Sequence, residues 1–200
     1  MRITTVKPST GYAIDLEDVK NHLRVPVGET NQDDYLRSLI MISQSRVEEM
    51  TNRALTRRTL KIFLDDWPEE DSIELPYPPL STGTDAILKY VDVDSSSITL
   101  SSTAYKLDAV SEPGRLMLDY NEDWPSVQLH TVNPISVQYV CGYPGSASGS
   151  TAVPEQLKHA MKLMIADMYE NRESMVVGQT ISKIPDAVQS LVRNLRIFKA

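Results

Sequence analysis

The chain has one cysteine and three histidines, and their spacing forms no recognised catalytic or metal site. The single cysteine, Cys141, lies in an apolar run that is typical of a strand, which predicts a small buried side chain. The three histidines, His22, His130 and His159, fall far apart in sequence and lack the short spacing of metal ligands. We therefore predict no structural metal, no cofactor and no cysteine nucleophile.

An acidic run lies in the first half of the chain and consists of Asp65, Asp66, Glu69, Glu70 and Asp71. It lacks the alternate-position spacing and the closing glutamate of a calcium loop, so a solvated turn is the favoured interpretation. A hydrolase that uses Asp65 or Asp66 is an alternative. No serine lies in a Gly-x-Ser-x-Gly elbow and no glycine-rich phosphate loop is present. The sequence therefore predicts a protein that is not an enzyme.

Two other groups of side chains suit binding better than catalysis. Trp67 and Trp124 each precede a proline and could anchor a ligand or a subunit contact, or pack within a β module. Met161, Met164 and Met168 share one helical face and are best interpreted as core, although they could line a partner groove. Met175 lies just beyond that helix and is the better contact candidate.

Composition and charge narrow the class of protein further. The chain has 200 residues, 41% hydrophobic and 24% charged, as in an ordinary soluble domain. A net charge of −7 argues against tight wrapping of nucleic acid. Residues 172–200 nevertheless carry a charge of +3, so this tail could dock an acidic partner or simply form solvated helix faces. We expect no membrane span and no signal peptide, because no apolar segment is long enough.

The hydrophobic periodicity changes twice along the chain. A helical period predicts helices at residues 15–23, 33–51, 154–171 and 185–199. Residues 56–149 instead show short alternating runs broken by Pro, Gly, Asp and Ser, which predicts an antiparallel sheet or small barrel. The predicted strands are residues 60–64, 73–75, 86–93, 98–100, 105–109, 115–120, 127–129 and 136–140. Neither helical end can bury its apolar face alone. The predicted fold is therefore α+β, with a helical body from residues 1–55 and 151–200 and an antiparallel β module, 56–150, inserted into it.

Several segments resemble the head–tail connector (adaptor, or head-completion) proteins of tailed bacteriophages. The first helix is similar in Asp15-Leu16-Glu17-Asp18-Val19-Lys20-Asn21-His22-Leu23-Arg24-Val25, and the second in Asp33-Asp34-Tyr35-Leu36 and Val47-Glu48-Glu49-Met50-Thr51-Asn52-Arg53. The start of the β insertion resembles that of longer members in Leu64-Asp65-Asp66-Trp67-Pro68 and Ile73-Glu74-Leu75-Pro76. The return to the closing helices is similar in Tyr139-Val140-Cys141-Gly142-Tyr143, Val153-Pro154 and Tyr169-Glu170-Asn171-Arg172-Glu173.

The resemblance implies a structural virion protein that forms a ring beneath the portal, with about twelve subunits by matched symmetry. Such a ring extends the DNA channel and offers a surface to a tail or stopper protein, and DNA passes through it without sequence-specific binding. Many family members are described as DNA-packaging proteins. The implied location is the head–tail junction, reached from the host cytoplasm during assembly. Compact members are nearly all helical, so the β insertion is a departure.

The C-terminal segment is the predicted partner contact. We expect Val188, Leu191, Leu195 and Phe198 to pack on the helical body or a neighbouring subunit. We expect the basic residues to meet the portal, with Met175 as a further contact, so that the predicted interface comprises Arg193, Arg196, Phe198, Lys199 and Met175. The alternative function is a non-enzymatic binding module whose β insertion recognises a protein or glycan through Trp67 or Trp124.

Overall fold

The computed structural model describes residues 1–9, 11–81, 86–144, 152–171 and 186–198. Within these residues the helices are α1, Leu16–Leu23; α2, Asp33–Thr51; α3, Glu155–Glu170; and α4, Asp186–Arg193. The strands are β1, Arg2–Lys7; β2, Arg58–Leu64; β3, Ser72–Leu75; β4, Ile87–Val91; β5, Ser97–Thr99; β6, Tyr105–Asp108; β7, Gly114–Leu118; and β8, Ile135–Cys141. The predicted α+β class is confirmed.

The strands of the described residues pair only in antiparallel fashion and form two sheets. The larger sheet has the order β1-β2-β8-β4-β5, and the smaller has the order β3-β7-β6. The chain divides into two compact units. The β unit contains Met1–Ser9 and Arg57–Gly142, and the helical unit contains Thr10–Thr56 and Tyr143–Ala200. None of the described helices is both long enough and apolar enough to cross a bilayer.

The helical unit is held together by one hydrophobic core to which both chain ends contribute. The inner face of α2 is buried along its length, and α3 buries Leu157, Met161 and Ile165 in the same cluster. Helix α1 begins at Asp15, whose carboxylate accepts the Glu17 amide as an N-cap. Helix α2 ends at Thr51, as predicted, and its C-cap residue Asn52 has the left-handed conformation.

The β unit buries one face of the larger sheet together with the smaller sheet. The core contains Leu60, Ile62, Leu88, Leu116 and Val137, all 4% exposed or less. Two tyrosine hydroxyls tie loops to strands, because Tyr139 donates to the Pro76 carbonyl and Tyr105 to the Ala86 carbonyl. Gly114 allows a close approach at the start of β7, since a Cβ there would lie 2.3 Å from Leu80.

Three elements differ from their sequence predictions. Strand β1 was not predicted, because Ile3 and Val6 do not alternate; a register shift between Thr5 and Lys7 explains the broken pattern. Residues 127–129, predicted as a strand, form only an isolated bridge between Leu129 and Asp92. Helix α4 ends at Arg193, six residues before the predicted end.

A buried lysine joins α1, the following loop and α2. Lys20 is only 3% exposed, and its ammonium donates to the Val27 and Glu29 carbonyls at 3.2 and 2.7 Å. It also forms an ion pair with Asp33 in the first turn of α2. An ammonium group has three protons, so these three oxygens satisfy it completely. The loop between the helices is therefore fixed by one charged group.

Replacing this lysine should destabilise the helical unit. We expect Lys20→Met to lower the free energy of unfolding by about 3 kcal/mol, because Asp33 and two carbonyls lose their partner. Chemical denaturation of the two variants measures the difference. Arg37→Met removes an exposed ion pair to Asp34 on the same helix and should cost about 0.5 kcal/mol or less. Equal losses in the two variants would show that Lys20 has no special role.

Candidate partner-binding surface

Helix α4 is attached to the helical unit through its inner face. Val188 and Val192 are 0% and 4% exposed and belong to the core, and Leu191 and Leu195 pack against it partly buried. Asp186 lies in the first turn and Arg193 in the last, so each charge has the sign that the helix dipole favours. The outer face of α4 therefore remains available for contacts with a partner.

The residues after α4 are fixed by the C-terminal end of α2. The Ile197 amide donates to the Thr51 carbonyl at 2.8 Å, and the Asn52 side chain donates to the Ile197 carbonyl at 2.7 Å. The buried Arg53 donates through Nε to the Leu195 carbonyl at 2.6 Å. The backbone of this segment thus bonds to α2 instead of continuing its own helix. This explains why α4 is shorter than its apolar pattern predicts.

The early helix end changes the position of Phe198. The sequence places it on the apolar face of α4, but its side chain is 75% exposed and does not pack on the helical unit. The Arg196 guanidinium lies 5.6 Å from the centre of its ring, within the range of a cation–π contact. Arg193 is also exposed. Met175 and Lys199, the other two predicted contacts, lie outside the described residues.

A cleft of about 820 Å³ lies between the C-terminal half of α2 and the outer side of α4. Its charged lining consists of three arginines and two carboxylates, and its floor includes Met50 and the buried Val192. A lining of this kind suits a partner segment that has carboxylates beside an apolar group, since guanidinium pairs well with carboxylate. The charged lining residues are Arg46, Arg193, Arg196, Glu49 and Asp186.

Sequence reasoning missed the part that Arg46 has in this cleft. By its helical period alone, Arg46 lies on the polar, solvent-facing side of α2. Its place beside Arg193 and Arg196 depends on the packing of α4 against α2, about 140 residues away in sequence. No local signal in the sequence carries that information.

The two tryptophans lie in contact with each other in the β unit. Their rings are stacked, with centroids 5.0 Å apart and planes 11° from parallel, and Tyr90 meets Trp67 edge-on at 5.7 Å. Trp124 Nε1 donates to the Glu70 carbonyl at 3.0 Å. The two ring faces that meet cannot also stack on a ligand. The hydrogen bond from Trp124 holds the backbone of the acidic run at Glu70. A partner could contact the tryptophan pair only at the outer faces or edges of its two rings.

The residues of potential catalytic type are not assembled into an active site within the described part. Cys141 is completely buried in β8. His22 and His159, which the sequence treated as unrelated, lie 6.3 Å apart edge to face. Partial burial lowers the pKa of His22, and the charges of Lys162 and His159 lower it further. No group of three His, Cys, Asp or Glu side chains among the described residues could hold a metal ion.

Known proteins resemble this chain in sequence and in fold. Residues 128–196 match the family profile of the phage gp6-like head-tail connector protein. The resemblance to head–tail connector proteins is confirmed. The matched range contains β8, α3 and α4 and, with them, Arg193 and Arg196. No curated protein matches the chain closely enough to count as a relative.

Three similar solved structures share the fold of the helical unit and of the β unit. Each match covers 100% of this chain and 97% of the other chain. The first comes from the neck of an empty GTA particle computed with C6 symmetry, with a TM-score of 0.78 and 23% identity. The second comes from the virion of a native gene transfer agent (GTA) particle, at 0.76 and 21%. The third comes from the neck of a native GTA particle computed with C12 symmetry, at 0.69 and 22%. The whole fold, including the β insertion, is thus shared with these proteins.

The attachment of the C-terminal segment can be tested with the buried arginine. We expect Arg53→Met to release residues 194–198, so that the Ile197 amide exchanges its proton faster, and to lower the free energy of unfolding by about 1–3 kcal/mol. Hydrogen exchange read by NMR measures the first effect. Arg57→Met removes an exposed arginine nearby in sequence and serves as the control. Unchanged exchange at Ile197 in the Arg53 variant would contradict the assignment.

Proposed function

We propose that this protein is a structural head–tail connector of a tailed phage, which forms a ring beneath the portal and extends the DNA channel. The observation that carries the proposal is the fold match to a protein of a particle neck over the whole chain, with a TM-score of 0.78. The family match across α3 and α4 agrees with it. On this proposal the protein acts in the virion by assembly and catalyses no reaction.

A ring of about twelve subunits follows from symmetry matching, since a portal is twelvefold and a connector that docks on it shares the axis. The matched neck structures were computed with C6 and C12 symmetry, which is compatible with that number. The lower face of the ring would receive a tail or stopper protein. The net charge of −7 favours DNA that slides past without sequence-specific binding, because adhesion to DNA requires phosphate neutralisation.

The portal contact is assigned to the C-terminal surface. Arg193 and Arg196 are exposed on a segment that hydrogen bonds to α2 hold in place, so their arrangement costs little further ordering on binding. Phe198 is an exposed aromatic beside a guanidinium, a combination common among residues that dominate interface energies. Met175 and Lys199 belong to the same proposed contact.

Charge reversal tests this portal contact without removing any core residue. We expect Arg193→Glu/Arg196→Glu to weaken binding to portal rings of the same phage at least tenfold, because like charges then meet across the interface. Sedimentation of portal rings with bound protein provides the measurement. The control Arg37→Glu/Arg57→Glu changes the net charge by the same amount elsewhere and should bind normally. Normal binding by the Arg193→Glu/Arg196→Glu variant would show that these two residues are not part of the interface.

Deletion of residues 185–200 should abolish attachment to portal rings altogether. The deletion also removes the buried Val188 and Val192, so a cooperative thermal unfolding transition must first show that the shortened protein is folded. Electron microscopy of portal particles mixed with the intact protein should show an added ring beneath the portal. Portal particles that stay bare at saturating protein would refute the proposed function.

A further inference from the structure

On one face of the five-stranded sheet, the described strand residues are basic, polar or apolar, and none is a carboxylate. Residues that face each other in antiparallel strands point to the same side of the sheet. The strand registers therefore form three rows on the face opposite the core. The first row is Arg2, Phe63, Ser136, Lys89 and Thr99; the second is Thr4, Lys61, Gln138 and Ile87; the third is Lys7, Thr59 and Val140. We call this surface the basic face.

The basic face contains four cations, and none of them pairs with a described carboxylate. Arg2, Lys7, Lys61 and Lys89 form no ion pair with any residue that the structure describes. Lys61 lies 5.1 Å from the centre of the Phe63 ring, which confirms that the two share a face. In a chain of net charge −7, four positive and no negative charges among the described residues of this face are a local reversal of sign. It provides an attractive potential for an acidic surface.

Apolar side chains lie between the cations and add apolar contact area to the basic face. Ile87 is 41% exposed, and Phe63 and Val140 are half-buried. Charged rims around an apolar centre are the usual plan of a protein–protein contact. The phosphates of nucleic acid could bind the same cations, but the overall negative charge of the chain repels nucleic acid.

The acidic run provides a surface of opposite charge on the same chain. All five of its carboxylate residues are exposed, and none forms an ion pair with a described residue. The stacked Trp67 and Trp124 hold the run at its centre through the bond to the Glu70 carbonyl. At its end, the Leu118 amide donates to the Asp71 carbonyl at 2.9 Å. A segment held in this way loses little entropy on binding.

We propose that the basic face binds the acidic run, residues 65–71, of a second copy of this chain. Each copy has one basic face and one acidic run, so the contact is heterologous, and repetition about an axis closes a ring. The inference deepens the proposed function and rests on it, since it names the surfaces that adjacent subunits of the ring use. The tryptophan pair then acts in assembly by positioning the carboxylates.

Carbodiimide coupling tests the contact, because it joins a lysine amine to a carboxylate only where the two touch. We expect a mixture of ¹⁴N- and ¹⁵N-labelled protein to give links between chains from Lys61 or Lys89 to residues 65–71, identified by mass spectrometry. The yield should fall at least about threefold in 1 M salt, where the Debye length is about 3 Å. The intrachain pair Lys106–Asp119, at 3.1 Å, is the internal control for coupling and for folding.

A charge exchange tests the specificity of the pairing. One variant carries Lys61→Glu/Lys89→Glu and the other Glu69→Lys/Glu70→Lys, so neither can form these links alone. In an equal mixture we expect links between chains that join positions 61 and 89 of one copy to positions 69 and 70 of the other. Replacing the first variant with Arg24→Glu/Arg37→Glu places the new carboxylates in the helical unit, outside the basic face, and links to positions 24 and 37 should be at least tenfold rarer.

Three results would overturn the inference: links confined to single chains, no links from Lys61 or Lys89, or equal links to positions 24 and 37. Protection of Lys61 and Lys89 by a 20-base-pair duplex, without links between chains, would assign the face to nucleic acid and also refute it. Protein that binds portal rings but forms no such links would refute this contact alone. Protein that forms the links but ignores portal rings would refute the proposed function alone.

Discussion

The apolar face of α2 is the constraint on which the helical unit depends. It buries Leu36, Leu39, Ile40 and Val47 against helices that come from both ends of the chain. Burial of a side chain of this size contributes about 1.5–3 kcal/mol, and the contribution is available only when the C-terminal helices return. The β segment between them is therefore an insertion that must bring its two ends back to one core.

The same arrangement produces the candidate surface. The C-terminal end of α2 holds residues 194–198 through Thr51, Asn52 and Arg53, and the outer side of α2 lines the cleft beside α4. One helix thus supports the core on one side and a partner surface on the other. The β unit has a comparable division, since the larger sheet buries one face and presents the basic face on the other.

Sequence patterns predicted most of the elements because their causes are local. A capping aspartate at residue 15, a left-handed asparagine at residue 52 and an apolar period of 3.6 place α1 and α2 within a residue of their true ends. Alternation and turn residues found most of the strands. The sequence pattern does not predict strand β1, because β1 is an edge strand with a bulge. Its conformation depends on pairing with β2 and not on its own alternation.

The sequence alone therefore determined the fold class, the two kinds of segment, the resemblance to connector proteins and the residues that carry charge. Only the tertiary structure decided where α4 ends, that Arg46 joins Arg193 and Arg196, and that the two tryptophans stack on each other. The register of four strands, β1, β2, β8 and β4, likewise decided that four scattered cations share one face. Local signals act over a few residues, whereas these features depend on hydrogen bonds and packing between residues far apart in the chain.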